Sequence, residues 1–312
     1  MNEKKLPGGL WPVMLTPLKD NNRLDLDGLK KLTDYYIAAG ANGMFANCLS
    51  SEMFQLTEEE RLTITEIVVN HCEGKVPVVA TGSFTSDVNK STEFIKKIYD
   101  TGVDAVVLTS SIVVAPNESD AVFMQQLESI LEKTGDIPLG VYECPVPYKR
   151  LISTDIMKWM ADTGRFLYHK DTSCNSGQIR AKIEAVKGSN FNIMNADTPT
   201  ALDTLSDGGQ GISPISGNFY SELYSYMIRT FNEQGRTAEL EELSAHLSVM
   251  DAFTDKFYPL SAKLFLQKRG LDITAATRIP IPSLAYRDWH NFDSLLMVVK
   301  SLADKHGIDL VL

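Results

Sequence analysis

Eight times along this chain a short apolar run gives way to a longer amphipathic stretch. That alternation restricts the possible folds more than any other feature of the sequence. The runs are 9–16, 43–48, 77–81, 105–109, 138–144, 166–170, 191–195 and 211–216. Most place Val, Ile, Leu or Phe consecutively rather than at every second position, as parallel strands buried on both faces require. Between them lie helix starts. Asp25-Leu26-Asp27-Gly28-Leu29 opens one, Thr57-Glu58-Glu59-Glu60-Arg61 opens another with a capping box, and Ser153-Thr154-Asp155-Ile156 opens a third. Gly40, Gly102, Gly164 and Gly188 stand where helices should stop.

Eight successive strand–helix units predict a closed (β/α)8 barrel, an α/β fold of the TIM type, over residues 1–235. An open doubly wound sheet is the alternative, but the glycine fingerprint of its dinucleotide-binding form is absent after the first run. Beyond Gly235 the pattern changes. Thr237–Asp255, Pro259–Arg269 and Asp288–Lys305 are helical in spacing with no convincing strand, which predicts a C-terminal three-helix domain over 236–312.

A barrel places its chemistry at the C-terminal ends of its strands. Lys170 ends the run Phe166-Leu167-Tyr168-His169-Lys170, and there a lysine can serve as an amine nucleophile. An isolated lysine in that position is ordinarily a surface residue, since lysines are seldom buried. Tyr142 ends the preceding strand, however, and sequential barrel strands are neighbours, so the two side chains should converge. A strand tyrosine more commonly only packs, but beside a reactive amine its hydroxyl can shuttle protons. Period-two alternation puts Cys144 on the side of Tyr142, Glu143 on the opposite side, and His169 towards the helices. Cys48-Leu49-Ser50-Ser51-Glu52 follows the second strand, where hydroxyls and backbone N–H groups can hold a carboxylate.

Other chemistries are poorly supported. The five histidines form no HxH or HExxH pattern, and Cys48, Cys72, Cys144 and Cys174 lack zinc-like spacing. Gly208-Gly209-Gln210-Gly211 reads as a turn before the eighth strand rather than a phosphate loop. A net charge of −10 argues against nucleic acid, and no apolar run is long enough for a membrane span. The N-terminal residues lack a signal-peptide pattern, so the expectation is a cytoplasmic protein with reduced thiols.

Taken together, these residues resemble the dihydrodipicolinate synthase/N-acetylneuraminate lyase family of Schiff-base-forming lyases over nearly the whole chain. Pro12-Val13-Met14-Leu15-Thr16-Pro17 is similar to its opening strand, and Gly40-Ala41-Asn42-Gly43 to its second-strand entry. Tyr142-Glu143-Cys144-Pro145 resembles its YNxP motif, and His169-Lys170-Asp171-Thr172-Ser173 its GxK[DE]xS motif. The resemblance implies a class I aldolase or lyase acting on pyruvate or a related 2-oxo acid, with no metal or organic cofactor. It also implies homo-oligomers, usually tetramers, with a dimer as the smaller form. Lys170 would form the imine and Tyr142 would relay protons. Leu49 and Ser50 would lie where the substrate carboxylate is held, Ser213 would line the pocket, and Asn195 and Asp197 would lie where sugar hydroxyls are contacted.

Three departures bear on the substrate. Leu49 replaces a relay hydroxyl. Ser110-Ser111-Ile112 replaces a stretch with a tyrosine that enters a neighbouring subunit's site. Pro147 replaces an arginine that binds a second carboxylate, with Lys149 and Arg150 close by in sequence. They turn the expectation away from the founding activities, and Cys144, Asn195, Asp197 and Ser213 direct it to a 2-keto-3-deoxy sugar acid. A 2-oxo-acid-binding protein without turnover is the alternative.

Overall fold

The computed structural model describes residues 5–312. Its strands are β1 (Gly9–Leu10), β2 (Met44–Ala46), β3 (Val78–Thr81), β4 (Ala105–Thr109), β5 (Leu139–Tyr142), β6 (Phe166–Asp171), β7 (Asn192–Asn195) and β8 (Gly211–Ile212). The helices of this part are α1 (Leu26–Ala38), α2 (Glu58–Cys72), α3 (Val88–Asp100), α4 (Ser110–Val113), α5 (Asp120–Thr134), α6 (Thr154–Thr163), α7 (Ser176–Ala185), α8 (Ala201–Ser206) and α9 (Ser221–Gln234). Three more follow: α10 (Ala238–Thr254), α11 (Leu260–Arg269) and α12 (Tyr286–His306).

All strand pairs are parallel. β2 to β8 pair in sequence and β8 pairs with β1. The ring closes between Pro12–Met14 and β2, where Phe45 donates to the Pro12 carbonyl at 3.0 Å and accepts from Met14 N–H at 3.0 Å. This is the expected (β/α)8 barrel with a C-terminal helical region. The first and last strands are shorter than the apolar runs predict, and proline is the reason. Pro12 has no N–H to donate, and Pro214 precedes a short 3-10 turn at Ile215–Asn218. β8 must also approach β1 closely: a Cβ on Gly211 would stand 2.1 Å from the Gly9 carbonyl oxygen.

Helix starts follow the sequence signals. Asp25 caps α1 by accepting from Gly28 N–H, and Thr57 and Glu60 form the reciprocal capping box of α2. Ser153 precedes α6 but turns its hydroxyl to Asp120 at 3.1 Å instead of capping. Short α4 was not foreseen. Its Ser110 and Ser111 hydroxyls donate to the Arg150 and Val146 carbonyls at 2.8 and 2.9 Å, clamping the β4 loop to the β5 loop.

Apolar burial lies in two shells. One, between strands and helices, includes Leu32, Val68, Ile95, Leu127, Ile193 and Leu223. The other fills the barrel and includes Trp11, Phe45, Val79, Val107, Tyr142, Tyr168 and Met194. The C-terminal helices dock through buried ion pairs as well as apolar contact. Arg269 of α11 meets Glu222 of α9 at 2.7 Å, and Lys263 of α11 meets Glu52 of the β2 loop at 3.0 Å. Among the described residues, no helix is long and apolar enough to cross a membrane.

Candidate active site

Register brings the two principal candidates together. Tyr142 and Lys170 are direct partners across β5 and β6. Both are almost fully buried, at 4% and 3% exposure. The Lys170 ammonium nitrogen lies 5.0 Å from the Tyr142 ring centroid, and Phe45 meets that ring edge-on at 5.6 Å. Among the described residues Lys170 has no carboxylate partner. Burial therefore pushes its pKa down to about 8, partly opposed by the neighbouring Cys48 and Cys144 thiols. Burial also pushes the Cys144 thiol up to about 11 and lifts the Tyr142 hydroxyl well above its usual range. The site thus holds an amine poised to lose its proton beside a phenol that resists losing its own.

The opposite sides of β5 and β6 show what alternation does. Glu143, His169 and Asp171 face the helices, where Lys182 of α7 reaches Glu143 and Asp171, each at 2.5 Å. Glu143 also accepts from the backbone N–H groups of Ile152 and Thr172 at 2.7 and 2.9 Å. Glu143, His169 and Asp171 could by spacing hold a metal ion. The Lys182 ammonium already supplies the positive charge there.

The β2 loop is built from inside and outside the barrel. Ser51 donates to the Met14 carbonyl at 2.6 Å, and its side-chain oxygen accepts from Cys48 N–H at 3.1 Å. Glu52 adopts a left-handed conformation (φ 56°) and is fixed by Lys263 and by Ile279 N–H at 2.9 Å. Ser50 is buried and Leu49 half-buried above the barrel cluster. The loop is thus pinned at both ends, with Leu49 and Ser50 between the anchors.

The remaining candidates are not gathered around Lys170. Asn195 pairs with Asp171 and shares its outward orientation; its amide donates to Thr200 and Thr204, each at 2.8 Å. Asp197 caps the following turn, accepting from the Thr200 hydroxyl at 2.7 Å. Ser213 is inside the barrel, but its hydroxyl donates to the Trp11 carbonyl at 2.7 Å and lies 3.4 Å from the Tyr168 hydroxyl. Arg150, near the expected arginine in sequence, is spent on the Glu118 carbonyl and Asp120 at 2.9 and 2.7 Å.

One group at the mouth was missed. Tyr258, between α10 and α11, turns into the barrel entrance and accepts from Asn218 Nδ2 at 2.6 Å. It lies beside Ser50 and within electrostatic reach of Tyr142. The stretch Phe257-Tyr258-Pro259 carries no local signal of this beyond an aromatic pair before a helix.

The sequence matches the dihydrodipicolinate synthetase family over residues 6–298. The chain belongs to that family. It is a Schiff-base-forming lyase of the class I type. Its similarity to 4-hydroxy-tetrahydrodipicolinate synthase of Oceanobacillus iheyensis is 26% identity, covering 93% of this chain and 96% of that one. The Bacillus subtilis enzyme of the same name is also 26% identical, over 89% and 94% of the two chains. The fold matches a prophage protein of the dihydrodipicolinic acid synthase family from E. coli K12, solved in complex with pyruvate. The TM-score is 0.84 at 22% identity, covering 94% of this chain and 98% of that chain.

Proposed function

We propose that Lys170 forms the imine, with pyruvate or a closely related 2-oxo acid, and that Tyr142 moves the protons. The observation that carries this is the burial of Lys170 without a counter-charge, in register with a phenol at the barrel mouth. A neutral amine attacks the ketone carbon. The resulting carbinolamine loses water, and the protonated imine withdraws electrons so that the adjacent carbon becomes nucleophilic as an enamine. That carbon then makes or breaks a C–C bond, or expels a neighbouring hydroxyl. Ser50, with the backbone N–H groups of its loop, receives the carboxylate.

The substrate's distal half is a 2-keto-3-deoxy sugar acid rather than the partner of either founding activity. The case is one of subtraction. Leu49 and Ile112 lack the hydroxyls that stand there in the best-known members, and Arg150 is turned away to α5. Asn195 and Ser213 are spent internally, which leaves Asp197, half-buried at the rim near Cys174, as the candidate hydroxyl contact. The enzyme works in the cytoplasm as a homo-oligomer. Its four unpaired cysteines support the first part, and exposed Val249, Phe253, Met297 and Val298 on α10 and α12 support the second.

Pyruvate release from a panel of 2-keto-3-deoxy sugar acids, beside N-acetylneuraminate cleavage and condensation of pyruvate with aspartate semialdehyde, tests the assignment. Turnover of a sugar acid alone is expected. Efficient turnover of either founding substrate overturns the distal-half assignment.

A further inference from the structure

The acid nearest in sequence to Ser50 is Glu52, which is buried at 1% exposure. A buried carboxylate so close to a loop that receives another carboxylate would repel it unless its charge were met. Here it is met in full. Lys263 Nζ of α11 donates to one Glu52 oxygen at 3.0 Å, and the Arg278 and Ile279 N–H groups donate to the other at 2.5 and 2.9 Å. Lys263 is itself wholly buried and also donates to the Ala276 carbonyl at 2.6 Å. Glu52 is the pivot of the loop backbone as well. Its N–H donates to the Leu49 carbonyl at 3.0 Å and its carbonyl accepts from Gln55 N–H at 2.8 Å, so it joins the 3-10 turn Leu49–Ser51 to the turn Met53–Gln55. It does so in a left-handed conformation (φ 56°, ψ 38°) that residues with a side chain seldom adopt. Such a shape persists where the surroundings enforce it.

We propose that Lys263 is a positioning residue: by pairing with Glu52 it holds the Ser50 loop in the shape that receives the substrate carboxylate and cancels the charge that would repel it. The inference rests on the carboxylate-receiving role given to that loop above. Three observations carry it. First, the three donors to the Glu52 side chain all come from the C-terminal region, from α11 and the segment 271–279 that follows it. Second, that segment is strapped to the same end of the barrel. The Arg278 guanidinium meets Glu60 through two nitrogens at 2.6 Å each and donates to the Gln55 and Asn22 carbonyls at 2.9 Å each, and the Thr274 hydroxyl donates to the Leu18 carbonyl. Third, the other side of Ser50 is anchored independently. Ser51 donates to the Met14 carbonyl at 2.6 Å, and its own carbonyl accepts from the Thr16 hydroxyl at 2.9 Å. Loss of the Lys263 anchor therefore loosens one side of Ser50, while Lys170 and Tyr142 keep their places on β6 and β5.

The test compares two ketones that differ in the carboxylate. Pyruvate and methyl pyruvate both offer a ketone to an amine, but only pyruvate carries the anion. Cyanoborohydride traps either imine by delivering hydride to its carbon. Intact-protein mass spectrometry follows the trapping rate against ketone concentration, with Lys170→Ala as the background. Wild-type enzyme is expected to half-saturate with pyruvate at a concentration about tenfold or more below that for the ester. Lys263→Met is expected to raise the pyruvate value about tenfold and to leave the ester value and both maximal rates within about twofold of wild type. Arg278→Met, which frees the strap while leaving Glu52 and Lys263 paired, is expected to raise the pyruvate value about threefold. It carries the test if circular dichroism shows that Lys263→Met does not fold. Folded variants that keep the wild-type pyruvate value, or that lose pyruvate and ester alike, overturn the positioning role and leave the imine reading standing. A wild-type enzyme with no preference for pyruvate overturns the carboxylate role of the loop, and this inference with it. Absence of an adduct in the wild type overturns the imine reading and everything built on it.

Discussion

Lys170 and Lys182 are both buried, at 3% and 2% exposure, on the two sides of the same strand–helix unit, yet their surroundings are opposite. Inside the barrel, Lys170 faces aromatic rings and thiols, and burial drives its pKa down to about 8. Between strands and helices, Lys182 bridges Glu143 and Asp171 at 2.5 Å each. A buried lysine becomes a nucleophile when its surroundings withhold a counter-charge and a structural cation when they supply two. Alternation along β5 and β6 makes that choice. Residues 142 and 170 point inward, while 143, 169 and 171 point outward.

Substitution should separate the two sites by sign. Lys182→Met leaves two carboxylates uncompensated and should destabilise the fold by about 3–5 kcal/mol in urea denaturation. Stabilisation would mean that the outer cluster is not the anchor described here. Lys170→Met should do the reverse. With a folded pKa of about 8 against 10.5 for the free group, the unfolded chain binds more protons between those values, so burying the ammonium costs about 3 kcal/mol at pH 7. The cost is full below pH 8, shrinks as pH rises and is gone above about 10.5. Lys170→Met should therefore raise stability fully at neutral and lower pH and progressively less between about 8 and 10.5, and a gain that does not change across that range would remove the desolvation argument.

Smaller effects sharpen the comparison. Tyr142→Phe should slow turnover by about a hundredfold with little change in stability. The initial rate of imine formation should climb with pH and level off above about 8, as the free amine becomes dominant. A plateau reached only near pH 10 would show Lys170 to be unperturbed. Asp197→Ala should cost about 1 kcal/mol of stability through its lost cap. Its effect on KM for sugar acids then measures any contact it makes with their hydroxyls.

The barrel and the Lys170–Tyr142 pair were legible because each rests on local pattern. Consecutive apolar residues mark strands buried on both faces, and a polar residue ending such a run lies at the mouth. Outward placement of Glu143 and His169 followed from the same alternation. The Asn195 and Asp197 assignments came from resemblance alone. Asp197-Thr198-Pro199-Thr200 also has the form of a helix start, and the structure uses it as one. Tyr258 was invisible for another reason. Its position depends on how α11, which follows it, docks through Glu52–Lys263 and Glu222–Arg269, contacts between distant segments that no periodicity encodes.

The most direct test of the central claim is to incubate the protein with pyruvate and borohydride and map the reduced adduct by peptide mass spectrometry. A single adduct on Lys170, lost in Lys170→Ala and retained in Lys182→Met that has folded, is the predicted result. An adduct on any other lysine, or none with any 2-oxo acid, would contradict it.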